Sequence, residues 1–223
     1  MTPVRIRLGI SACLLGEPVR FDGGHKRDPF LVESLGPFVD WVPACPEVEL
    51  PVEEEGRLND PRLRENFIER IFAYRRLTDL FVARWSMGDV VRFHTAHKLT
   101  LMAHRPEAYQ RLGRLVASGR AMARAEFQDR YSTEFMTALA TIATPRRHAN
   151  VLQHMLGYFK QTLDRASRAE LLALIDDYAG GRVPLVVPLT LFVHHIRRCG
   201  VPYLADQVYL RPHPVELMLR NHV

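Results

Sequence analysis

The first two of the three cysteines in this 223-residue chain each follow a short apolar segment and precede a polar one. Cys13 lies in ISACLLGEPVRFDGGHKR, residues 10–27, and Cys45 lies in VPACPEVE, residues 42–49. Thiolates are preferred ligands of soft metals and of iron–sulfur clusters, so the pair could hold such a group. Free cysteines are also among the residues most often buried, and two structural thiols are the alternative interpretation.

The segments around the two cysteines have the pattern of a β–α–β unit. VRIRLGISAC predicts a strand, DPFLVESLG predicts a short helix, and FVDWVPAC, residues 38–45, predicts a second strand. A strand–helix–strand order is typical of parallel pairing. Because open α/β sheets bind ligands at the carboxyl ends of their strands, both cysteines are expected at one ligand-binding edge.

Composition narrows the class of protein. Hydrophobic residues make up 47% of the chain and charged residues 25%, as in an ordinary globular protein. No apolar run approaches the roughly 18 residues that span a bilayer, and the first residues lack the apolar core of a signal peptide. An odd number of cysteines does not make a disulfide framework. We therefore expect a cytoplasmic chain with reduced thiols and no membrane association.

Charge is distributed unevenly along the sequence. Residues 1–56 contain 5 Lys and Arg against 10 Asp and Glu, whereas residues 57–223 contain 25 basic and 15 acidic residues. A basic domain with a balance of +10 indicates a polyanionic partner such as a nucleic acid. A solvated basic surface without a partner is the alternative.

The second part of the chain has helical periodicity. Apolar residues recur at spacings of three and four in a stripe of Leu63, Phe67, Ile71, Tyr74 and Leu77. Further helices are predicted over residues 87–103, 106–118, 122–141, 145–163, 167–179 and 188–199, while residues 184–191 fit a helix or an extended segment. The predicted fold class is α+β, with a short βαβ segment over residues 1–56 and an all-helical domain over residues 57–223.

The two cysteine motifs together resemble the opening of the DUF523 family, the thiouracil desulfidases. In that family three cysteines hold a [4Fe-4S] cluster with one open iron, which takes sulfur from a thiolated pyrimidine. The resemblance implies that Cys13 and Cys45 are cluster ligands, and that Glu49 or Glu47 assists proton transfer, with Glu49 preferred. It also implies a loop beside the substrate that contains Asp22, Gly23, Gly24, His25 and Lys26.

The chain departs from that family after the second motif. The later SPSCG-like motif that supplies the third cysteine is absent, and PVEEEGRLNDP follows directly. Cys199, in RRCGVPYL, is the remaining cysteine and matches no ligand position of the family. A complete cluster would therefore need Cys199, a second chain or a small thiol.

The segments of residues 57–223 resemble the DUF1722 family nearly end to end. They are GRLNDPRLRENFIERIFAYRRL, VVRFHTAHKLTLMAH, TPRRHANVLQHMLGYFK, VPLVVPLTLFVHHIRR and GVPYLADQVYLRPHPVELMLRNHV. DUF1722 occurs alone and fused behind the desulfidase domain, and the fused form resembles enzymes that remove sulfur from 4-thiouridine in tRNA. The resemblance implies a tRNA-binding helical domain. A non-catalytic RNA-binding protein with a vestigial first segment is the alternative function.

Basic residues of the helical domain are the candidate nucleic-acid contacts. Arg146, Arg147 and His148 follow Thr144-Pro145 at a predicted helix start, where backbone N–H groups favour anions. Arg92 and Lys98 lie at helical spacings with His94 and His97. For the two histidines together, metal binding is the alternative to nucleic-acid contact. A further set fits either base stacking or the core: Tyr203, Tyr209 and Arg211.

Overall fold

The computed structural model describes residues 5–17, 24–44, 60–82, 84–217 and 219–222. The chain divides into two compact units. The smaller contains the first 60 residues and Pro214–Leu217, and the larger contains Pro61–His213 and the last residues. None of the helices in these ranges is both long and apolar enough to cross a membrane.

The smaller unit contains a two-stranded parallel sheet, as predicted. Strand β1 is Ile6–Ser11 and strand β2 is Val39–Ala44, in a register that pairs Ile6 with Val39 and Ser11 with Ala44. The connection contains one π-helical turn, Phe30–Leu35, followed by a 3-10 turn. The side chains buried in this unit include Ile10, Leu31, Leu35 and Val39.

The backbone leaves β1 two residues earlier than the sequence pattern indicates. A short helix α1, Ala12–Leu15, follows the strand directly and contains Cys13 in its first turn. It ends at Gly16, whose φ of 101° is strained for any residue with a Cβ atom. The pattern of VRIRLGISAC places Ala12 and Cys13 in the strand, because periodicity does not distinguish a strand from a helix in so short an apolar run.

The larger unit consists of helices and the segments that connect them, as far as its residues are described. Its helices are α2 (Pro61–Val82), α3 (Met87–Ala96), α4 (Lys98–His104), α5 (Pro106–Ser118), α6 (Arg124–Ala140), α7 (Pro145–Leu156), α8 (Arg165–Ala179), α9 (Val186–Cys199) and α10 (Pro202–Ala205). The predicted helix over 87–103 is two helices that meet at His97, and the one over 145–163 ends at Leu156. The ambiguous segment 184–191 is helical from Val186.

Polar side chains fix where several of these helices begin. Ser86 caps α3, because its Oγ accepts a hydrogen bond from the Asp89 amide at 3.3 Å while the Asp89 carboxylate accepts from the Ser86 amide at 2.7 Å. Thr144 and Asp164 cap α7 and α8 in the same way through the third residue of each helix. These caps fix the N-terminal ends of α3, α7 and α8.

Two hydrophobic clusters form the core of the helical unit. One surrounds α7, α8 and α9, and the other surrounds α5 and α6. Helix α4 joins them, since Leu99 belongs to the first cluster and Leu101 to the second. In the second, the rings of Phe127, Tyr131 and Phe135 stack one turn apart along α6, with centroids 5.8 and 6.1 Å apart.

Gly119, in the 3-10 turn after α5, marks a close approach in this second cluster. A Cβ atom there would lie 2.6 Å from the ring of Phe127, which is fully buried. We expect Gly119→Ala to lower the free energy of unfolding by about 1–3 kcal/mol, because the ring cannot move aside without strain. Gly157→Ala is the matched control, since a Cβ there meets nothing within 4 Å. Urea unfolding followed by helical circular dichroism measures both; equal midpoints would contradict the packing described.

Candidate functional site

Cys13 is buried at the carboxyl edge of the small sheet. Its side chain is 3% exposed, and its Sγ lies 3.1 Å from the Oγ of Ser11. Ser11 pairs with Ala44, which is followed in the sequence by Cys45. Cys45 itself lies outside the described residues, as do Glu47 and Glu49.

The described part of the predicted substrate loop lies beside Cys13. The Lys26 amide donates to the Cys13 carbonyl at 3.0 Å, and the Asp28 amide donates to the Leu14 carbonyl at 3.0 Å. These two hydrogen bonds tie Gly24, His25 and Lys26 to α1, with the side chains of His25 and Lys26 exposed. Asp22 and Gly23 are outside the described residues. The backbone at Lys26 is therefore held directly against the helix that contains the buried Cys13.

The donor set for an iron–sulfur cluster is incomplete in the described residues. Among them no group of three or more His, Cys, Asp or Glu side chains could hold a metal ion. Cys13 is one thiol ligand, whereas a [4Fe-4S] cluster needs about three or four protein ligands. Cys199 is half-buried at the end of α9 in the other unit, with its Sγ 4.0 Å from the Thr162 carbonyl oxygen. The described residues therefore do not by themselves form a cluster site.

The predicted nucleic-acid residues lie on three helices of the larger unit. At the start of α7, Arg146 is exposed and Arg147 donates to the Ile142 carbonyl at 3.4 Å. Arg92, on α3, is exposed and forms an ion pair with Asp89. Lys98 is half-buried at the first position of α4.

His148 has a different environment from its two arginine neighbours. It is 7% exposed, and its Nδ1 lies 2.8 Å from the Tyr209 hydroxyl. Burial lowers the pKa of His148 to about 3, so the imidazole is neutral at physiological pH. The expectation of phosphate contact at His148 is therefore corrected. His148 lies about 200° around α7 from the exposed Arg146 and so faces the interior.

A buried charge network on α2 is the largest feature that sequence reasoning missed. Glu65 and Glu69 lie one turn apart and are 8% and 3% exposed. Arg220 Nε lies 3.1 Å from Glu65 Oε1, His222 Nε2 lies 3.3 Å from Glu65 Oε2, and His104 Nε2 lies 3.1 Å from Glu69 Oε2. The prediction that Tyr74 belongs to the apolar stripe of α2 is wrong, because Tyr74 is 51% exposed.

Burial and pairing act in opposite directions on this network. Burial opposes ionisation of Glu69, yet His104 holds the pKa of that carboxyl far below its ordinary value. Burial also opposes the charge on His104, yet Glu69 and the Thr141 carbonyl, 2.6 Å from Nδ1, raise the pKa of the imidazole. Burial raises the pKa of Glu65 despite Arg220. The contact between Glu69 and His104 therefore favours the ionised form of both side chains.

A cavity of about 110 Å³ opens beside the network. Its polar wall includes Glu65, Glu69 and His104, and its apolar wall includes Ile142 and Leu185. Within the described part of the chain, Glu69 Oε1 and Arg220 Nη2 are buried without a hydrogen-bond partner. Glu69 is one of the residues that line the cavity, and an unpaired carboxylate oxygen in a cavity of this size is a site for ordered water.

From the pKa shifts of the buried histidines we expect the free energy of unfolding to fall on both sides of about pH 6.5. His94, His97 and His148 have pKa values lowered by burial to about 4, 3 and 3, so only the unfolded chain takes up their protons as pH falls below 6.5. Each then removes about 1.4 kcal/mol of unfolding free energy per pH unit. His104 has a raised pKa, so its stabilisation is complete below pH 6.5 and is lost as pH rises through the folded value.

Urea unfolding between pH 4 and pH 9 measures this profile. In the variant His97→Gln, the free energy of unfolding should fall less steeply as the pH is lowered below 6.5. The slope should decrease by the amount that corresponds to about one proton. A stability that rises steadily from pH 6.5 down to pH 4 would contradict the neutral interior assigned to these three histidines.

Comparison with known proteins gives matches in both units. Residues 98–214 match the family model described as a protein of unknown function, DUF1722, and residues 8–64 match the model of 2-thiouracil desulfurase. The uncharacterized protein YbgA of Escherichia coli (strain K12) is 32% identical over 165 residues, which are 74% of this chain and 98% of that protein. No solved structure matches.

The match to 2-thiouracil desulfurase contains Cys13, Cys45 and the loop between them, and supports a desulfidase-like first segment. The DUF1722 match contains Lys98, Arg146 and Arg147 and covers more than half of the chain. YbgA is matched over nearly its whole length. The chain accordingly belongs to the DUF1722 family, with a segment similar to 2-thiouracil desulfurase at its N-terminal end.

Proposed function

We propose that this chain is an iron–sulfur-dependent desulfidase that removes sulfur from a thiolated pyrimidine, 4-thiouridine in tRNA, and that its helical unit holds the RNA. The observation that carries the proposal is the 2-thiouracil desulfurase match over residues 8–64, which contains the buried thiol of Cys13. The reaction exchanges sulfur for oxygen at one carbon. Water supplies the oxygen, sulfur leaves as hydrosulfide, and the carbon keeps its oxidation state.

Cys13 and Cys45 are the proposed ligands of a [4Fe-4S] cluster. Such a group, when bound, supplies an iron with an open position that accepts sulfur. Cys13 is 3% exposed, so a group bound to its sulfur would be shielded from solvent on the protein side. The ligands that complete the cluster are proposed to come from Cys199, a second chain or a small thiol.

The remaining residues of the first segment have proposed roles in proton transfer and substrate binding. Glu49, or Glu47, takes the proton from the attacking water and returns it to the product. The exposed side chains of His25 and Lys26, held next to Cys13 by the Lys26 amide, contact the polar edge of the base or its phosphate. With Asp22, Gly23 and Gly24 they form the proposed substrate loop.

The activity is tested on the full chain after anaerobic reconstitution with iron and sulfide. Iron and acid-labile sulfide per chain are measured first, and hydrosulfide release from 4-thiouracil and from 4-thiouridine-containing tRNA follows. We expect near four irons per chain and a kcat/KM at least 10-fold higher for the tRNA, because contacts with the RNA add binding energy. The absence of hydrosulfide from both substrates would refute the desulfidase proposal.

A second candidate function is RNA binding without catalysis. It is favoured by the charge balance of +10 over residues 57–223, which suits a polyanion whether or not the first segment holds a cluster. Retained tRNA binding in a chain that holds no iron would support this candidate over the enzyme.

Arg146 and Arg147 are the proposed phosphate contacts at the N-terminus of α7. Their replacement by Ala should weaken tRNA binding and reduce the slope of log affinity against log salt by about 1.5, since two phosphate contacts are lost. The matched control is Arg197→Ala with Arg198→Ala, an exposed pair in the last turn of α9, where the helix dipole disfavours anions. An unchanged slope in the first variant would rule out these two contacts.

A further inference from the structure

A row of aromatic and basic side chains crosses the helical unit. The ring of His94 stacks on Tyr109 with centroids 4.8 Å apart and an interplanar angle of 3°. Lys98 Nζ lies 5.8 Å from the ring centroid of Tyr109 and 5.8 Å from that of Tyr203. Tyr203 stacks on Tyr158 at 5.0 Å and 17°. We call Tyr109, Lys98, Tyr203 and Tyr158 the aromatic row.

The members of the aromatic row come from distant parts of the sequence. Lys98 opens α4, Tyr109 is in α5, Tyr158 is in the 3-10 turn after α7, and Tyr203 is in α10. Three separate elements therefore bring one ammonium group near two aromatic rings, and a fourth adds the ring of Tyr158. The spacing of residues in the sequence does not predict these contacts, because spacing identifies neighbours within one helix only.

The aromatic row differs from the aromatic residues of the core. Tyr131 and Tyr209 are completely buried, whereas Tyr158 is 38% exposed, and Tyr109, Tyr203 and Lys98 are half-buried. Tyr158, Tyr203, Lys98 and Tyr109 form one contiguous, partly exposed patch, and contiguous apolar patches mark interaction sites more often than single exposed rings do. The row is therefore a surface on which a planar group could stack.

The chemistry of the aromatic row fits an unpaired nucleotide. Bases stack on tyrosine rings whatever their sequence, because every base has a π-face. An ammonium group between the rings offers a positive charge to the phosphate that links the stacked bases. The charge balance of +10 over residues 57–223 attracts the same polyanion. An apolar protein partner is less suited, because Lys98 interrupts the aromatic surface.

We infer that the aromatic row is the place where unpaired bases of the RNA stack, with Tyr158 as the exposed platform and Lys98 as the phosphate contact. This inference rests on the proposed RNA-binding function. It assigns single-stranded segments of the RNA to the row and leaves phosphate contacts with paired segments to residues such as Arg146 and Arg147.

The test compares two labelled RNAs, an unpaired oligouridine and a duplex of equal length, by fluorescence anisotropy with the full chain. Tyr158→Ala should weaken oligouridine binding about 10-fold or more, which is the usual loss for one stacked base, and should change duplex binding less than 2-fold. Tyr158→Phe keeps the ring and should bind as the unmodified chain does. Tyr74→Ala removes an exposed tyrosine from α2 and is the matched control.

The outcomes separate this inference from the proposed function. If the unmodified chain binds RNA and Tyr158→Ala binds oligouridine equally well, the row is not the stacking site and the RNA-binding proposal still stands. If the unmodified chain binds neither RNA, both are refuted. Should Tyr158→Ala lose helical circular dichroism, Lys98→Gln replaces it, with an expected decrease of about 0.7 in the oligouridine salt slope; an unchanged slope would overturn the inference.

Discussion

Replacement of His104 by Ala is expected to lower the free energy of unfolding by about 3–5 kcal/mol, which is the usual cost of removing one partner of a buried ion pair. The variant leaves Glu69 in the interior, 3% exposed, without the imidazolium that lies 3.1 Å from its Oε2. Glu69 Oε1 already has no partner among the described residues. Its carboxyl group must then either stay charged without a partner or take up a proton.

A double replacement separates two causes of the lost stability: the loss of the ion pair and the loss of side-chain volume. Glu69→Leu with His104→Leu removes both charges and retains apolar bulk, so it should recover most of the stability. Urea unfolding at pH 6.5, followed by helical circular dichroism, measures both variants. A loss below about 1 kcal/mol for His104→Ala would contradict an ionised pair at this site.

Cys13→Ser is expected to abolish hydrosulfide release and to leave the helical unit folded. Serine has nearly the same shape, but its hydroxyl is not deprotonated near neutral pH and is a poor ligand for iron. We expect the iron content after reconstitution to fall below about one quarter of the unmodified value, because a cluster that loses a ligand is not retained. Iron analysis and a hydrosulfide assay on the same sample measure the two effects.

Cys199→Ser is the informative companion of this variant. If Cys199 completes the cluster, its replacement removes iron as Cys13→Ser does. If a second chain or a small thiol completes the cluster, iron is retained. Full hydrosulfide release by Cys13→Ser would contradict the assignment of Cys13 as a ligand.

Hydrophobic periodicity, together with Pro and Gly at the ends of elements, predicted the elements whose structure depends on residues close together in the sequence. The parallel pairing of Ile6–Ser11 with Val39–Ala44 follows from the strand–helix–strand order. The bounds of α5 follow from Pro106 at its start and Gly119 at its end. Helix α1 was missed because ACLL is four residues long, too short for a helical period to be visible.

The partners of Glu65 and Glu69 in the charge network could not be predicted, because they are far apart in sequence. Arg220 reaches Glu65 across 155 positions, and His104 reaches Glu69 across 35. A charged residue in an amphipathic helix is normally assigned to the solvent face. Two glutamates that share a face with Ile68 and Phe72, both buried, were the signal that could have indicated a network.

The desulfidase account is tested most directly by the stoichiometry of one reaction. The iron-loaded chain is incubated with 4-thiouridine-containing tRNA under anaerobic conditions without a reductant, and hydrosulfide and uridine are measured together. The account predicts equal amounts of both products, since water replaces sulfur without electron transfer. Absence of hydrosulfide from an iron-loaded chain, or hydrosulfide formed only when a reductant is added, would contradict it.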